Sequence, residues 1–294
     1  MLSILIPCFD YNAYPLVCEI EKQAVCLKIK FEIICIDDAS FSLKNENNQK
    51  INSIPNAKFI ESKKNIGRIR NRMLLAETAQ FDWLIFIDVD TTPRNKDFLK
   101  NYIACKNKGV FVFGGRQFDE KSKIKGGSLR YKFSKKREEI NAIGRNKNPY
   151  KFISSSNFMT QKSKIIDVLK KITNNSYGND YIFGALLKSQ STEVVHIDNP
   201  VAVNETDSNE VFIEKTKNAL KNLLESKKNK KISQHSISIL KTYSLLKFFH
   251  LTSVFLKITD SLETNLENNL KVENPNLFLF DLFRLRYICS LSNN

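Results

Sequence analysis

At 294 residues the chain has room for one large domain, or for one domain with an appendage. Hydrophobic residues at 42% and charged residues at 26% are those of a soluble globular protein, and six cysteines without a C-x-x-C pair exclude a zinc-ribbon or disulfide framework and suit a reducing cytoplasm. The formal charge of +15 is uneven: residues 121–151 hold eleven Lys/Arg against two Glu, and Lys227, Lys228, Lys230 and Lys231 form a second cluster. Such patches favour anionic partners, whether phosphorylated substrates, anionic lipid or nucleic acid, and the plain alternative is a solvated basic face.

In chain order, residues 2–6 read as a buried first strand that Pro7 should stop. The first residues show neither a basic leader nor a small-residue cleavage site, so no secretory signal is expected. A helix to about residue 28 precedes a second apolar strand, residues 31–36, which ends in Asp37-Asp38-Ala39-Ser40. A polar loop with Asn45, Asn47 and Asn48 leads to a short strand at 57–60. Asn65-Ile66-Gly67 then turns into a basic-faced helix over 68–79.

The most informative stretch follows. Residues 83–87, Trp-Leu-Ile-Phe-Ile, are an unbroken apolar run of aromatic and β-branched residues, as in a strand covered on both faces. The run stops at Asp88-Val89-Asp90 before Thr91-Thr92-Pro93. Two acids at the carboxyl end of a buried strand repel one another unless a cation sits between them. A magnesium-type ion holding phosphate oxygens is the economical answer. An Asp-rich turn that merely closes a strand is the bland one.

Beyond Pro93 the pattern predicts a helix near 96–106, a strand at 110–113 and paired Gly114-Gly115, which would let backbone approach a ligand or simply make a tight turn. Residues 121–151 look like loop with short helix, 152–158 like strand, and 163–171 like helix. Asp180 opens an apolar helix, residues 193–197 form a strand bearing His196, and 209–228 an amphipathic helix. Helical, apolar-rich sequence fills the chain after 233. Its longest apolar stretch, 243–258, is interrupted by Lys247, His250 and Lys257, so no membrane span is expected. The β-α-β-(β)-α-β order, with acids ending two buried strands, argues for a mostly parallel sheet with a nucleotide-type site along that edge.

Taken together, these motifs resemble family 2 glycosyltransferases of the GT-A type, bacterial enzymes of surface-polysaccharide synthesis. The resemblance covers about residues 1–210 and rests on five ordered motifs. Residues 3–9, including Pro7 and Phe9, resemble the opening strand whose turn lies against the nucleotide base. Asp37-Asp38-Ala39-Ser40 resembles D-D-x-S, implying that Asp38 contacts the base. Asn65-Ile66-Gly67 with Arg70-Asn71 resembles the N-x-G…R-N helix start, with Arg68, Arg70 or Arg72 as the implied diphosphate contact. Asp88-Val89-Asp90 resembles D-x-D, implying Asp88 at the ribose and Asp90 at the metal. Tyr177-Gly178-Asn179-Asp180 resembles G-x-[ED]-D, implying Asp180 as catalytic base. Many relatives carry a histidine metal ligand where this chain has Asn204. An amide is a weaker ligand, and His196, earlier in the chain, is either a satisfied core histidine or a metal or substrate contact.

The resemblance implies a GT-A catalytic domain over 1–230 with a helical extension over 231–294. It also implies an inverting, Mn2+- or Mg2+-dependent transfer from a nucleotide-sugar, in the first instance a UDP-sugar, to a glycan or lipid-linked glycan. A cytoplasmic enzyme bound peripherally to the inner face of an anionic membrane fits the lysine-rich apolar tail. The tail could instead pack on the catalytic domain or at a homodimer interface. A sugar-nucleotidyltransferase shares the architecture but needs a Gly-rich basic loop after strand one, which is missing. A nucleic-acid-binding role fits the charge alone, since the aromatics sit in buried-looking strands rather than among the basic runs.

Overall fold

The structure, a computed structural model, describes residues 1–172, 177–229 and 237–293. The expected boundary between 230 and 231, Lys230 and Lys231, and Asn174 to Ser176 of the loop before Asp180 lie outside the described residues. A seven-stranded sheet carries the fold: β1 (Leu2–Cys8), β2 (Phe31–Asp37), β3 (Ala57–Glu61), β4 (Trp83–Ile87), β6 (Phe111–Phe113), β8 (Asn157–Gln161) and β9 (Val194–His196), in the order β3-β2-β1-β4-β8-β6-β9. Three further strands, β5 (Thr91–Pro93), β7 (Arg116–Gln117) and β10 (Val201–Val203), form a small sheet ordered β5-β10-β7. Within the seven-stranded sheet β1 pairs parallel with β2 and β4, and among its described strands only β8 runs against its neighbours, β4 and β6; in the small sheet β10 runs against β5. The expected architecture, a mostly parallel sheet flanked by helices with further helices at the C-terminus, is the one observed.

One reversed strand decides where the site lies. Because β8 is antiparallel, its amino end, preceded by Ser154–Ser156, falls at the same edge as the carboxyl ends of β1, β2, β4 and β6. Four strand ends and one strand start therefore deliver polar residues to one rim. Beneath it the core is dry: Leu84, Ile85, Phe86 and Ile87 are fully buried, and Phe86 stacks on Phe158 at 4.9 Å. Each such side chain contributes about 1.5–3 kcal/mol on leaving water.

Local expectations shift in three places. Pro7 does not stop β1, which runs on to Cys8 with Pro7 opposite Ile36. Pairing of β1 with β4 ends at Leu5, so beyond it one side of β1 has no ladder bond for proline to break. The polar stretch after Asp38 is a short helix, Lys44–Asn48, followed by a 3-10 turn over Gln49–Ser53, rather than a loop. The strand expected at 152–158 begins at Asn157, because Ser154, Ser155 and Ser156 turn toward the rim instead of pairing.

The C-terminal helices, Ser238–Phe248, Thr252–Asp260, Glu263–Lys271 and Leu277–Asn293, join the core of the sheet's own layer. Leu240, Tyr243, Ile288 and Cys289 share one apolar cluster with Phe158, Ile165 and Phe183. A second junction ties the Leu277–Asn293 helix to the basic segment: Phe280 packs on Phe133 and Phe212, while Asp281 pairs with Arg137 and Arg284.

Candidate active site

The rim is assembled from five chain segments. At the end of β2, Asp37 is buried and accepts hydrogen bonds from the Ser40 backbone and hydroxyl at 2.8 and 2.7 Å, which closes the turn that follows. Asp38 reaches across to the next segment, where its carboxylate accepts the N–H groups of Ile66 (2.8 Å) and Gly67 (2.7 Å). Gly67 stands at φ +84, a backbone region closed to most side chains, immediately before the Arg68–Thr78 helix. Asp38 thus fixes the loop from which that helix starts, with lone pairs remaining on both oxygens. Phe9, just beyond β1, is 56% exposed, and Pro7 is half-buried below it.

Helix phase sorts the three arginines. Arg68 and Arg72, four residues apart, share a face, whereas Arg70 lies on the opposite side. Arg72 is buried and pairs with Asp88. Arg68 lines the cleft with its side chain open to solvent; the protein around it works to lower its pKa, but Asp88, Asp180, Tyr177 and Asp90 raise it on balance. Arg70 is not among the residues lining the cleft, so the structure brings Arg68 and Arg72, not Arg70, to the acids.

Asp88 and Asp90 occupy a turn just past β4. The Asp88 N–H donates to the Ser156 carbonyl at 2.9 Å, and the Asp88 carbonyl accepts from both the backbone and the hydroxyl of Thr91. The Asp90 carbonyl accepts the N–H of Asn204 at 3.1 Å, which pins the turn to the end of β10. Although Asp90 opens to solvent, the protein crowded around it and the neighbouring charge of Asp88 push its carboxyl up, to about 6. Opposing that rise are two cations, Arg68 and Arg116.

Asn204 and His196 have different fates. Asn204 sits beside Asp90, with its amide oxygen accepting from Thr92 Oγ1 (3.0 Å) and its amide nitrogen donating to the Tyr11 hydroxyl (3.0 Å). His196 is 2% exposed, packs on the Phe113 ring at 5.6 Å and places Nε2 2.8 Å from the Pro149 carbonyl. Burial lowers its pKa to about 4, so it is a neutral core histidine, and no bond ties it to the acid cluster.

Asp180 stands in the first turn of the Asn179–Ser189 helix, where the aligned backbone dipoles favour an anion. Its Oδ1 accepts the Ser155 N–H at 3.3 Å. The helix starts at Gly178, held at φ +90, where a Cβ would lie 2.7 Å from that of Ala219. Both the backbone angle and the space therefore require glycine at the entry to this helix.

Sequence reasoning missed a charge network on the opposite wall. Arg116, on β7, lines the cleft and lies 3.5 Å from Glu138, which also pairs with Arg130 at 3.0 Å. Burial alone would raise the Glu138 carboxyl, but Arg130 and Arg116 outweigh it and hold it at about 2. Arg130 in turn lies 4.9 Å over the Phe212 ring. The signal available was Arg116 itself, a cation directly after the glycines that end a buried strand. The space a side chain on Gly115 would take is filled by the Arg145 guanidinium, 1.7 Å from where its Cβ would lie.

Among the described residues no group of three or more His, Cys, Asp or Glu side chains is placed to hold a metal ion alone. The donors at the rim are two carboxylates with hard oxygen atoms, which suits a divalent ion completed by phosphate oxygens.

By sequence, no curated protein matches the chain. Among solved structures, the S. aureus TarS 1–349 complex with UDP superposes with a TM-score of 0.50 at 16% identity, over 99% of this chain and 91% of that one. PcManGT, a mannosyltransferase from Pyrobaculum calidifontis in complex with GDP-Man and Mn2+, gives 0.59 at 12% identity, over 99% and 86%. Against the longer S. aureus TarS chain, 76% of this chain is covered, at 16% identity and a TM-score of 0.47, and the match spans 39% of TarS. At identities of 16% and 12% the likeness to the TarS 1–349 complex and to PcManGT speaks to the fold alone, which is the GT-A arrangement. The sequence profile of glycosyl transferase family 2 matches residues 3–169, more than half of the chain, and the protein therefore belongs to that family of glycosyltransferases.

Proposed function

We propose that the chain is a metal-dependent, inverting glycosyltransferase that moves a sugar from a nucleotide-sugar, in the first instance a UDP-sugar, to a hydroxyl of a glycan or lipid-linked glycan. The observation that carries this reading is the meeting of Asp88, Asp90, Asp180 and Arg68 at one sheet edge. The same fold holds UDP in TarS and GDP-Man with Mn2+ in PcManGT, which supports a nucleotide-sugar donor and a divalent ion.

Each residue then has a role. Phe9, Pro7 and the Asp38-fixed Gly67 loop form the base side of the donor site, Asp88 the ribose side, and Arg68 the diphosphate side. Asp90 and Asp88 would hold the divalent ion, with Asn204 supporting the Asp90 turn. When bound, the ion supplies positive charge where the leaving diphosphate gathers negative charge. Asp180 takes the proton of the acceptor hydroxyl as that oxygen bonds to C1, and the C1–O bond breaks with its electron pair leaving on the nucleoside diphosphate. Placing base and donor on different elements of one rigid rim keeps the reacting groups in line without further reorganisation. Nucleoside-diphosphate release over a panel of UDP- and GDP-sugars tests this reading: cleavage should appear with Mn2+ and vanish in EDTA, and equal rates in both would remove the metal from it.

Peripheral attachment to an anionic membrane is part of the same proposal. Phe248 (75% exposed), Phe249 (61%), Val254 (49%) and Ile258 (66%) present apolar surface beside Lys247 and Lys257. Among the described residues no helix is long and apolar enough to cross a bilayer. Each basic residue at such a surface adds only about 1 kcal/mol, so the apolar side chains must share the work. Sedimentation with phosphatidylglycerol vesicles at low salt should be lost in Phe248→Ser/Phe249→Ser. Equal sedimentation of that variant would mean this corner is not the contact.

A further inference from the structure

Residues 9–13, between β1 and the Tyr14–Cys26 helix, lie outside the sheet, and side chains hold them in place. Asn48 is fully buried. Its amide nitrogen donates to the Tyr11 carbonyl at 2.9 Å and to the Asn45 side-chain oxygen at 3.2 Å, and its oxygen accepts the Ala13 N–H at 2.8 Å. Asn45, 4% exposed, donates in turn to Asp37 at 3.2 Å and to Glu61 at 2.9 Å. Both amides therefore use both their N–H groups and their oxygen. A buried polar network satisfied to this degree is rigid. It fastens the loop that carries Phe9 to the carboxyl ends of β2 and β3.

Tyr11 carries the network across the rim. Its ring packs on the core that holds Ile4, Ile6 and Val17, and its hydroxyl accepts the Asn204 side-chain N–H at 3.0 Å. Asn204 is held twice more, by Thr92 Oγ1 at its amide oxygen and by the Asp90 carbonyl at its backbone N–H. β1 and β4, which lead to the base side and the metal side, stop pairing at Leu5 and Phe86. Past that point the bond from Asn204 to Tyr11 ties the continuation of one strand to the turn after the other. A nucleoside diphosphate spanning Phe9 and Asp90 would use both, so their separation has to be right before it arrives.

We infer that Tyr11 is a positioning residue: its hydroxyl, acting through Asn204, sets the Asp90 turn against the base loop so that base and diphosphate are gripped together. This rests on the transferase reading and adds to it a side chain that acts on other protein groups rather than on the substrate. Spacing fixed in advance saves the ordering that binding would otherwise cost.

Tyr11→Phe removes the hydroxyl and keeps the ring, while Asn48 still holds the loop. Hydrogen exchange in the ligand-free protein reads the tie itself. The Asn204 and Thr91 amides, bonded to the Asp90 and Asp88 carbonyls, should exchange faster in the variant, and those of Ile4 and Ile85 in the core strands should not change. Calorimetry reads the consequence: UDP affinity in Mn2+ should fall about two- to twelvefold, the worth of one neutral hydrogen bond. Uridine, which has no diphosphate to bring to Asp90, should bind as to the wild type. Asn204→Ala should reproduce the pattern, and Tyr11→Phe should add nothing to it in the double variant, because both remove the same bond. Unchanged exchange at Asn204 and Thr91 would overturn the inference. So would losses that multiply in the double variant, or equal weakening of uridine and UDP, which would confine Tyr11 to the base side. Faster exchange in a protein that binds no UDP would uphold the tie and remove the transferase reading. Mn2+-dependent UDP binding that both substitutions leave intact would do the reverse.

Discussion

Replacing Asp180 by asparagine should lower turnover by about 10²–10⁴-fold, the range for losing a general base, while UDP affinity in Mn2+ stays as in the wild type. The substitution preserves shape, and the amide oxygen can still accept the Ser155 N–H. What disappears is the charge that takes up the acceptor proton. A lost anion at a helix N-terminus costs only about 0.3–1 kcal/mol of stability, so a large fall in rate would not reflect unfolding. Steady-state transfer rates and a thermal melt of the same preparation separate the two. Near-normal transfer would mean that another carboxylate removes the proton.

Asp90→Asn should abolish the divalent-dependent part of UDP binding and leave the fold intact. In the metal-free protein, the protein crowded around Asp90 and the charge of Asp88 hold its carboxyl up at about 6, above its usual range, so its charge at neutral pH opposes stability, by an amount that its exposure to solvent keeps small. That penalty is present above pH 6 and fades as the group protonates below it. The metal-free variant should therefore melt no lower than wild type at pH 8. In the wild type, Mn2+-dependent UDP affinity should fall as pH drops through about 6, because the cation competes with a proton. The variant should show neither the Mn2+ dependence nor this fall. Calorimetry of UDP in Mn2+ and in EDTA, at pH 5 to 8, checks both. Wild-type behaviour in the variant would place the metal elsewhere.

The strands and their terminal acids were legible because a strand covered on both faces leaves a continuous apolar run, and Asp38, Asp88 and Asp90 interrupt such runs. The start of β8 was not, since Phe152, Ile153 and Phe158 flank the serines with equally apolar residues, and only pairing with β4 shows where the ladder begins. Which arginine faces the acids depends on helix phase: a helix starting at Arg68 turns Arg70 away, and the motif spacing alone left 68, 70 and 72 open. Residues 121–151 carry no periodicity to read. Their organisation is tertiary, with Arg130 and Glu138 locked together beside Arg116 from another strand. His196 and Asn204 could not be separated in sequence either. Burial against Phe113 and a bond to the Pro149 carbonyl mark His196 as core, while a backbone bond to Asp90 sets Asn204 at the rim.

The central claim is a single displacement in which Asp180 deprotonates the attacking hydroxyl opposite a metal-held leaving group. Proton NMR of the sugar released from the donor with water as acceptor, recorded before mutarotation, tests it most directly. The account predicts that the first anomer formed has the opposite configuration at C1 to that in the nucleotide-sugar. Retention of that configuration would contradict it.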